Sequence, residues 1–430
     1  MEEVRVLLRN QGIENISDAE VYMSTGGYRG LQRALQMDGG EIIDEIKKSG
    51  LRGRGGAGFP TWRKLTFAYG VDSDIKYIVA NADEGEPGTN KDRVLMSADP
   101  HSLLEGMAIA GKAVGAHEGF IYLRAEYPQI KPILLKAIAS AEAHGCLGDD
   151  CFGSGFSFHI SIRSGAGAYV CGEETALLQS IEGKRGEPQY KPPYPGIEGL
   201  FGKPTILNNV ETLADISHIL REGADWFASL GVPGSTGTKL FTVIGNVAKR
   251  GVYEFPMGIN LKELIYDVCG GIADGHGLLA VQTGGASGPF IRADQIDIPL
   301  DIDHVAGSGG RLGCGTIFVI DDTNCILDLA RNTQEFFMHE SCGKCVPCRE
   351  GTWLIYKTVD NICQGKGKFS DIALIRDLCD TLSKAAFCGL GHSSVVPISS
   401  ILQNFMPVVE KHLDHDYCPK CTTQRRLNAE

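Results

Sequence analysis

The sequence contains no uninterrupted apolar run near the roughly 18–20 residues that span a bilayer, so no direct membrane insertion is expected. It has no surplus of positive charge either. Its 41 Lys and Arg stand against 53 Asp and Glu, a formal net charge of −12 at pH 7. Neutralising a phosphate backbone takes clustered cations, so nucleic acid is not an expected partner. The first residues, MEEVRVLLRN, lack the basic-then-apolar layout of a secretory signal, and a cytoplasmic location is expected. Internal repeats and low-complexity tracts are also missing. What remains is an ordinary globular composition, 43% hydrophobic and 22% charged over 430 residues, enough for two or three domains.

Fourteen cysteines are present. Without an export signal they should stay reduced, and reduced cysteines at short spacing are more often metal ligands than disulfides. Cys146, Cys151, Cys171, Cys269, Cys314 and Cys325 are scattered, and read as small buried hydrophobes. From Cys342 onward they cluster.

The chain also holds 55 glycines, concentrated at 50–58, 153–172 and 305–315. Residues 41–48 predict a helix with an apolar stripe, broken at Gly50. KYIVA at 76–80 and GFIYL at 119–123 predict buried strands with helical sequence between them, an α/β alternation that runs to about residue 235. GVPGSTG then marks a boundary. Four strand-like runs and one helix (261–268) fill 239–325, a small α+β module. From 326 the pattern turns helical, with four apolar-striped segments that predict a bundle over 326–410. A Cys- and His-containing tail, 411–430, follows.

Within the helical part, Cys342, Cys345 and Cys348 form Cys-x2-Cys-x2-Cys, and Cys388 lies in FCGLG. Three thiolates spaced by two fit one face of a cubane, and a distant fourth closes it. Zinc is the competing ion, but it usually takes cysteines as separated pairs. A [4Fe–4S] cluster is the expectation.

LRGRGGAGFPT at 51–61 satisfies G-x-G-x-x-G but follows a helix rather than a strand, so the usual dinucleotide context fails. It also lacks the Gly-Lys-Ser/Thr ending of an ATP-binding loop. Its glycines still expose backbone N–H groups that can cradle phosphate or approach a flat ring. A second patch, NADEGEPG at 81–88, follows a strand directly, where carboxylates suit ribose hydroxyls. A third, RSGAGAYVCGEET at 163–175, again combines glycine, an aromatic and carboxylates. Each alone reads equally well as a turn; three in one domain point to a ligand.

LRGRGGAGFPT, NADEGEPGTNKDR, GAGAYVCGEETALLQSIEGKRG, KPPYP, GKPTILNNVETL, ESCGKCVPCREG and FCGLG, in this order, resemble the flavoprotein subunit of respiratory complex I. Its relatives in soluble NAD-linked hydrogenases and formate dehydrogenases share them. The likeness runs from about residue 25 to 400. It implies an FMN- and NADH-binding Rossmann-like α/β domain (1–235), a ubiquitin-like SLBB domain (239–325) and a helical [4Fe–4S] domain (326–410). It implies hydride transfer between NAD(H) and FMN, then one-electron transfer to the cluster.

Carried over by position, Gly53, Arg54, Gly55 and Lys64 would surround the flavin phosphate. Asn81, Asp83 and Glu84 would hold the rest of the flavin, with Tyr169, Gly172, Glu173, Asn208 and Asn209 completing its pocket. Phe59, Phe67 and Tyr194 would sandwich NADH, and Glu86 and Glu174 would contact its hydroxyl or amide groups. For Phe67, core packing is the competing reading. Cys342, Cys345, Cys348 and Cys388 would hold the cluster.

The tail departs from the complex I branch. Cys418 and Cys421 form Cys-x2-Cys, His412 precedes them, and Cys363 ends a predicted helix. A Cys3His set suits tetrahedral zinc, with His415 the rival histidine. A ferredoxin-type site shared with another subunit and unliganded cysteines are the alternatives. A similar tail occurs in NAD-linked multimeric hydrogenases that resemble this chain.

The expected function is therefore an NADH:acceptor oxidoreductase module of a soluble hydrogenase or formate dehydrogenase. Expected partners are a separate thioredoxin-like [2Fe–2S] subunit and ferredoxin, the latter through electron bifurcation. Alternatives are the NADH-binding subunit of complex I and a non-catalytic scaffold that binds no nucleotide.

Overall fold

The computed structural model describes residues 3–307, 310–414 and 418–422. The first domain is built on a four-stranded, wholly parallel sheet ordered His159–Ser164, Glu118–Leu123, Tyr77–Ala82, Thr205–Asn209. Helices Pro100–Val114 and Val210–Glu222 pack on it, both almost wholly buried. They cross closely because Gly106 has no side chain: a Cβ there would lie 1.8 Å from the Leu213 carbonyl oxygen.

Helix Gly39–Ser49 starts at Asp38, whose carboxylate accepts the Glu41 N–H in a reciprocal capping box, and buries Ile42, Ile43 and Ile46. Gly50, at φ 72°, ends it. The glycine-rich loop therefore runs from one helix to the next, Thr61–Tyr69, as its sequence context indicated. Three backbone anchors close it. Gly53 N–H donates to Phe59 O (2.9 Å), Arg54 N–H to Thr212 Oγ1 (2.8 Å) and Thr61 N–H to Leu51 O (3.1 Å).

The second domain is a five-stranded mixed sheet ordered Phe290–Arg292, Leu278–Thr283, Thr316–Asp321, Thr238–Gly245, Gly251–Pro256. Its helix begins as one α turn, Leu261–Glu263, and continues as a π turn, Leu264–Val268. The α/β, ubiquitin-like and helical order expected from the sequence is borne out.

The helical part differs from four simple helices. Helices Ile326–Glu340, Val346–Cys363 and Ser370–Ala385 form, then a short Gly389–Ser394. The last apolar-striped segment, ISSILQNFMPVVEKHL, is not one helix but falls within two, Val396–Asn404 and Met406–Leu413, broken at Phe405. Pro407 is the cause: it has no N–H for an internal bond and its ring disfavours a continuous turn, so it sits in the first turn of a new helix. Among the described residues no helix is long and apolar enough to cross a membrane.

Candidate active site

The carboxyl ends of the parallel strands open onto a cleft of about 280 Å³, the position at which such sheets hold ligands. Gly55, Asn81, Asp83, Glu84, Glu86, Tyr169, Gly172, Glu173 and Asn209, all singled out from sequence, line it together. The second domain adds Ser287, Arg311 and Cys314, and the helical domain adds Gly389, Leu390 and Ser393. All three domains close one cavity.

Other singled-out residues fall elsewhere. Gly53 and Arg54 line a neighbouring chamber of about 130 Å³. The Arg54 guanidinium turns into the core, to Asp215 (3.4 Å) and Thr236 O (2.6 Å). Asn208 is buried beside Asn209. Lys64 Nζ donates to Leu207 O (3.0 Å) and lies 3.3 Å from Glu174. Phe59, Phe67 and Tyr194 are exposed rings, and for Phe67 this excludes core packing. The 194–196 turn abuts the Phe67 helix: a Cβ on Gly196 would meet Phe67 Cβ at 3.2 Å.

Two lysines were not singled out from sequence. Lys191 bonds Glu174 at 2.6 Å and Glu173 at 3.0 Å, so Glu174 sits between Lys64 and Lys191. Burial alone would raise the Glu174 pKa, but the two ammonium groups outweigh it and hold the carboxyl below its usual value. Lys91 is fully buried against Asp92 (2.6 Å), Glu211 (2.9 Å) and Asn209 Oδ1 (3.2 Å). Burial opposes its charge; Asp92, Glu211 and Glu84 together raise its pKa. Both lysines lay inside quoted motifs, NADEGEPGTNKDR and KPPYP, whose Lys chemistry was the available signal.

Buried carboxyls set the field of the cleft. Burial raises Asp83 to about 7, opposed by Arg124. It does the same to Glu84, with the charge of Asp92 adding to the shift. The Glu84 carboxylate is occupied by the N–H groups of Asp92 (2.9 Å) and Arg93 (3.1 Å) and the Tyr127 hydroxyl (2.9 Å). Glu173 caps helix Glu174–Ile181 through the Thr175 and Ala176 N–H groups.

Next to the cleft, Cys342, Cys345, Cys348 and Cys388 line one small pocket. Cys345 and Cys388 each precede a helix start, and the Phe387 N–H points at Cys345 Sγ (3.5 Å). Burial pushes the Cys348 thiol up to about 11, with the other three sulfurs adding to the shift. Four such thiols stay together as thiolates only around positive charge. Val170 and Leu390 line both this pocket and the cleft.

HndC of Solidesulfovibrio fructosivorans, part of an NADP-reducing hydrogenase, is 45% identical over 417 residues, covering 97% of this chain and 85% of that protein. A component of the NADH-quinone oxidoreductase of Rhizobium meliloti is 44% identical, covering 96% and 99%. This chain belongs to the family of complex I flavoprotein subunits and their hydrogenase counterparts. Residues 46–218 match the Nuo51 FMN-binding domain, 240–290 the SLBB domain, and 328–412 the NADH-ubiquinone oxidoreductase-F iron-sulfur binding region. A solved NAD+-reducing [NiFe]-hydrogenase in the air-oxidized state superposes with a TM-score of 0.84 at 36% identity, covering 99% of this chain and 70% of that one.

The chain is thus an NADH-dehydrogenase-type oxidoreductase subunit of this flavoprotein family, with FMN, NAD(H) and a [4Fe–4S] cluster as cofactors. Its residues fit them. Asp83 Oδ2, at the cleft, is buried with no hydrogen-bond partner among the described residues, a cost a bound polar ring relieves. Gly55 lies close against Asn209, since a Cβ would stand only 3.0 Å from Asn209 Cβ. A Cβ on Gly85 would stand 3.3 Å from Tyr169.

In the tail the fold adds a residue to those singled out from sequence. Cys325, read from sequence as a packing residue, joins His412 and Cys421, with ligand atoms all within 4.8 Å of one another. Asp328, Cys363 and Cys421 form an overlapping set. His412 Nδ1 donates to Val408 O (2.8 Å), leaving Nε2 to face Cys325 Sγ at 3.7 Å. Cys418 is only half-buried, while Cys325, Cys363, His412 and Cys421 are buried. The bond to Cys421 and burial raise the Cys325 and Cys363 thiols. His415 lies outside the described residues.

Proposed function

We propose that this chain is the NAD(H)-reacting module of a multi-subunit hydrogenase. Its reaction is hydride transfer between NAD(H) and FMN, followed by single-electron transfer to the cluster. Bound FMN would supply the conversion between paired and single electrons. The chain's own residues position, shield and tune.

On this reading Gly55, Asn81, Asp83, Tyr169, Gly172, Glu173 and Asn209 hold the flavin, with Gly53, Glu84 and Asn208 supporting them from behind. The buried Lys91–Asp92–Glu211 group fixes Asn209. Lys64 serves from the edge of the cleft, and Arg54 through its backbone. Phe59, Phe67 and Tyr194 receive the adenine and nicotinamide ends of NADH, while Glu86 and Glu174 receive its hydroxyl or amide groups. Cys342, Cys345, Cys348 and Cys388 ligate the cubane.

The observation that carries the reading is the shared wall of Val170 and Leu390 between cleft and cysteine pocket. It leaves one layer of side chains between donor and acceptor. The test is anaerobic addition of NADH to the flavin-loaded chain. Bleaching of the flavin absorbance followed by cluster reduction is expected; bleaching without cluster reduction refutes the coupling, and no bleaching refutes the reading.

The hydrogenase assignment, rather than complex I, rests on the buried tail set, which we take to bind zinc through Cys325, Cys363, His412 and Cys421, with Cys418 at its rim. Expected partners are a thioredoxin-like [2Fe–2S] subunit and a hydrogenase or formate dehydrogenase subunit, with ferredoxin as a further carrier in a bifurcating scheme. Co-purification from the native cell tests this: a quinone-reducing membrane complex would overturn the assignment.

A further inference from the structure

The cleft and the smaller chamber beside it share one wall, made by Gly56, Arg311 and Gly313. Gly56, at φ +127°, faces Gly313 and Cys314 across it, and a Cβ there would lie 3.7 Å from the Gly313 carbonyl carbon. The two cavities differ in charge. Five residues bearing carboxylates line the cleft, whereas the chamber is lined by Arg54, Lys239 and Arg311 and by no carboxylate.

Three of the four cations around these cavities are already matched: Lys91 and Lys239 by Glu211, and Arg54 by Asp215. Arg311 is not. Its backbone N–H donates to Thr283 Oγ1 (3.3 Å). Its guanidinium makes no hydrogen bond or ion pair among the described residues and is exposed. It nonetheless stands at the site, where it lines both cavities. An unmatched guanidinium at the rim of a carboxylate-lined cleft, beside a chamber whose charged lining residues are all cations, offers a planar donor fork that suits a phosphate.

Resting on the reading of the cleft given above, we propose that Arg311 is the contact through which the second domain binds the nucleotide. Its guanidinium receives a phosphate of the dinucleotide at the wall shared by the two cavities. The phosphate ester of the flavin offers the same chemistry, and the experiment separates the two.

Flavin-loaded wild-type chain, Arg311→Gln and Arg311→Lys are titrated with ADP-ribose, 2′-phospho-ADP-ribose and adenosine by calorimetry, and flavin content is measured in each. Loss of one charge-assisted contact should weaken ADP-ribose binding to Arg311→Gln roughly tenfold or more. Arg311→Lys should recover part of it, with adenosine binding and flavin content unchanged. A loss confined to the 2′-phosphorylated ligand also supports the proposal and identifies the phosphate. Equal affinities of wild type and Arg311→Gln for both phosphorylated ligands, an equal loss for adenosine, or loss of flavin from Arg311→Gln would each overturn it. If wild-type chain is neither bleached by NADH nor binds ADP-ribose, the reading of the cleft itself fails. If bleaching is normal and Arg311→Gln binds both phosphorylated ligands as wild type does, only the present inference fails.

Discussion

The Tyr169 hydroxyl donates a 2.7 Å hydrogen bond to Glu86, whose other carboxylate oxygen accepts the Ser287 N–H at 3.0 Å. The Tyr169 backbone N–H donates to Glu340 at 2.9 Å, and its ring meets Phe336 edge-on at 5.1 Å. One residue thereby ties all three domains together at the cleft. Tyr169→Phe keeps the ring and removes the hydroxyl, leaving Glu86 with one donor fewer in a buried setting that already raises its pKa. A loss of about 1–3 kcal/mol in unfolding free energy is expected, with weaker NADH binding. Denaturant titration and the KM for NADH check both; unchanged stability would mean that water replaces the hydroxyl at no cost.

Cys388→Ser should remove the cluster and spare the flavin. Cys388 lines the sulfur pocket but not the cleft, whereas its neighbour Leu390 lines both. Iron and acid-labile sulfide should fall to near zero while NADH still bleaches the flavin. Retained iron would show that another ligand completes the cubane.

Asp83 ties stability to pH. Its carboxyl is raised from 3.8 to about 7, chiefly by burial. The folded chain holds this proton to higher pH than the unfolded chain does. The associated stabilisation is fully present below about pH 4 and lost as pH rises through about 7. Glu84, Asp99 and Glu254, also raised to about 7, act with the same sign. Denaturation midpoints should therefore fall between about pH 5 and about pH 8, and Asp83→Asn should shrink that fall. An identical fall in the variant would assign it to the other raised carboxyls, Glu86, Glu105 and Asp215 among them.

The tail offers a choice between two ligand sets, one expected from sequence and one assembled by the fold. Cys325→Ser should lose most of the zinc, because Cys325 faces His412 Nε2 directly. Cys418→Ser should lose less, because Cys418 is only half-buried. The reverse order, read by metal analysis after dialysis against a weak chelator, would restore the set that includes Cys418.

Much of this architecture was legible in local patterns. Asp38, Glu41 and Gly50 bracket a helix that the Ile42, Ile43 and Ile46 stripe already marked, and KYIVA and GFIYL fall in adjacent parallel strands. The triple-cysteine run carried its own geometry. What escaped depends on long-range closure. Cys325 lies 87 residues from His412, and no spacing rule joins a cysteine just before one helix to the end of a distant one. Arg54 carried a phosphate-binding signature in sequence, yet Asp215, 161 residues on, draws its side chain into the core. Lys91 and Lys191 sat inside recognised motifs, but Glu211, Glu173 and Glu174 belong to other segments.

Because Ser287, Arg311 and Cys314 come from the second domain and Gly389, Leu390 and Ser393 from the third, the cleft is a property of the whole chain. An excised first domain would present an open saddle with Tyr169 stripped of Phe336 and Glu340. A chimaera that took any one module from a foreign relative would therefore have to rebuild the floor and the rim of the cleft at once.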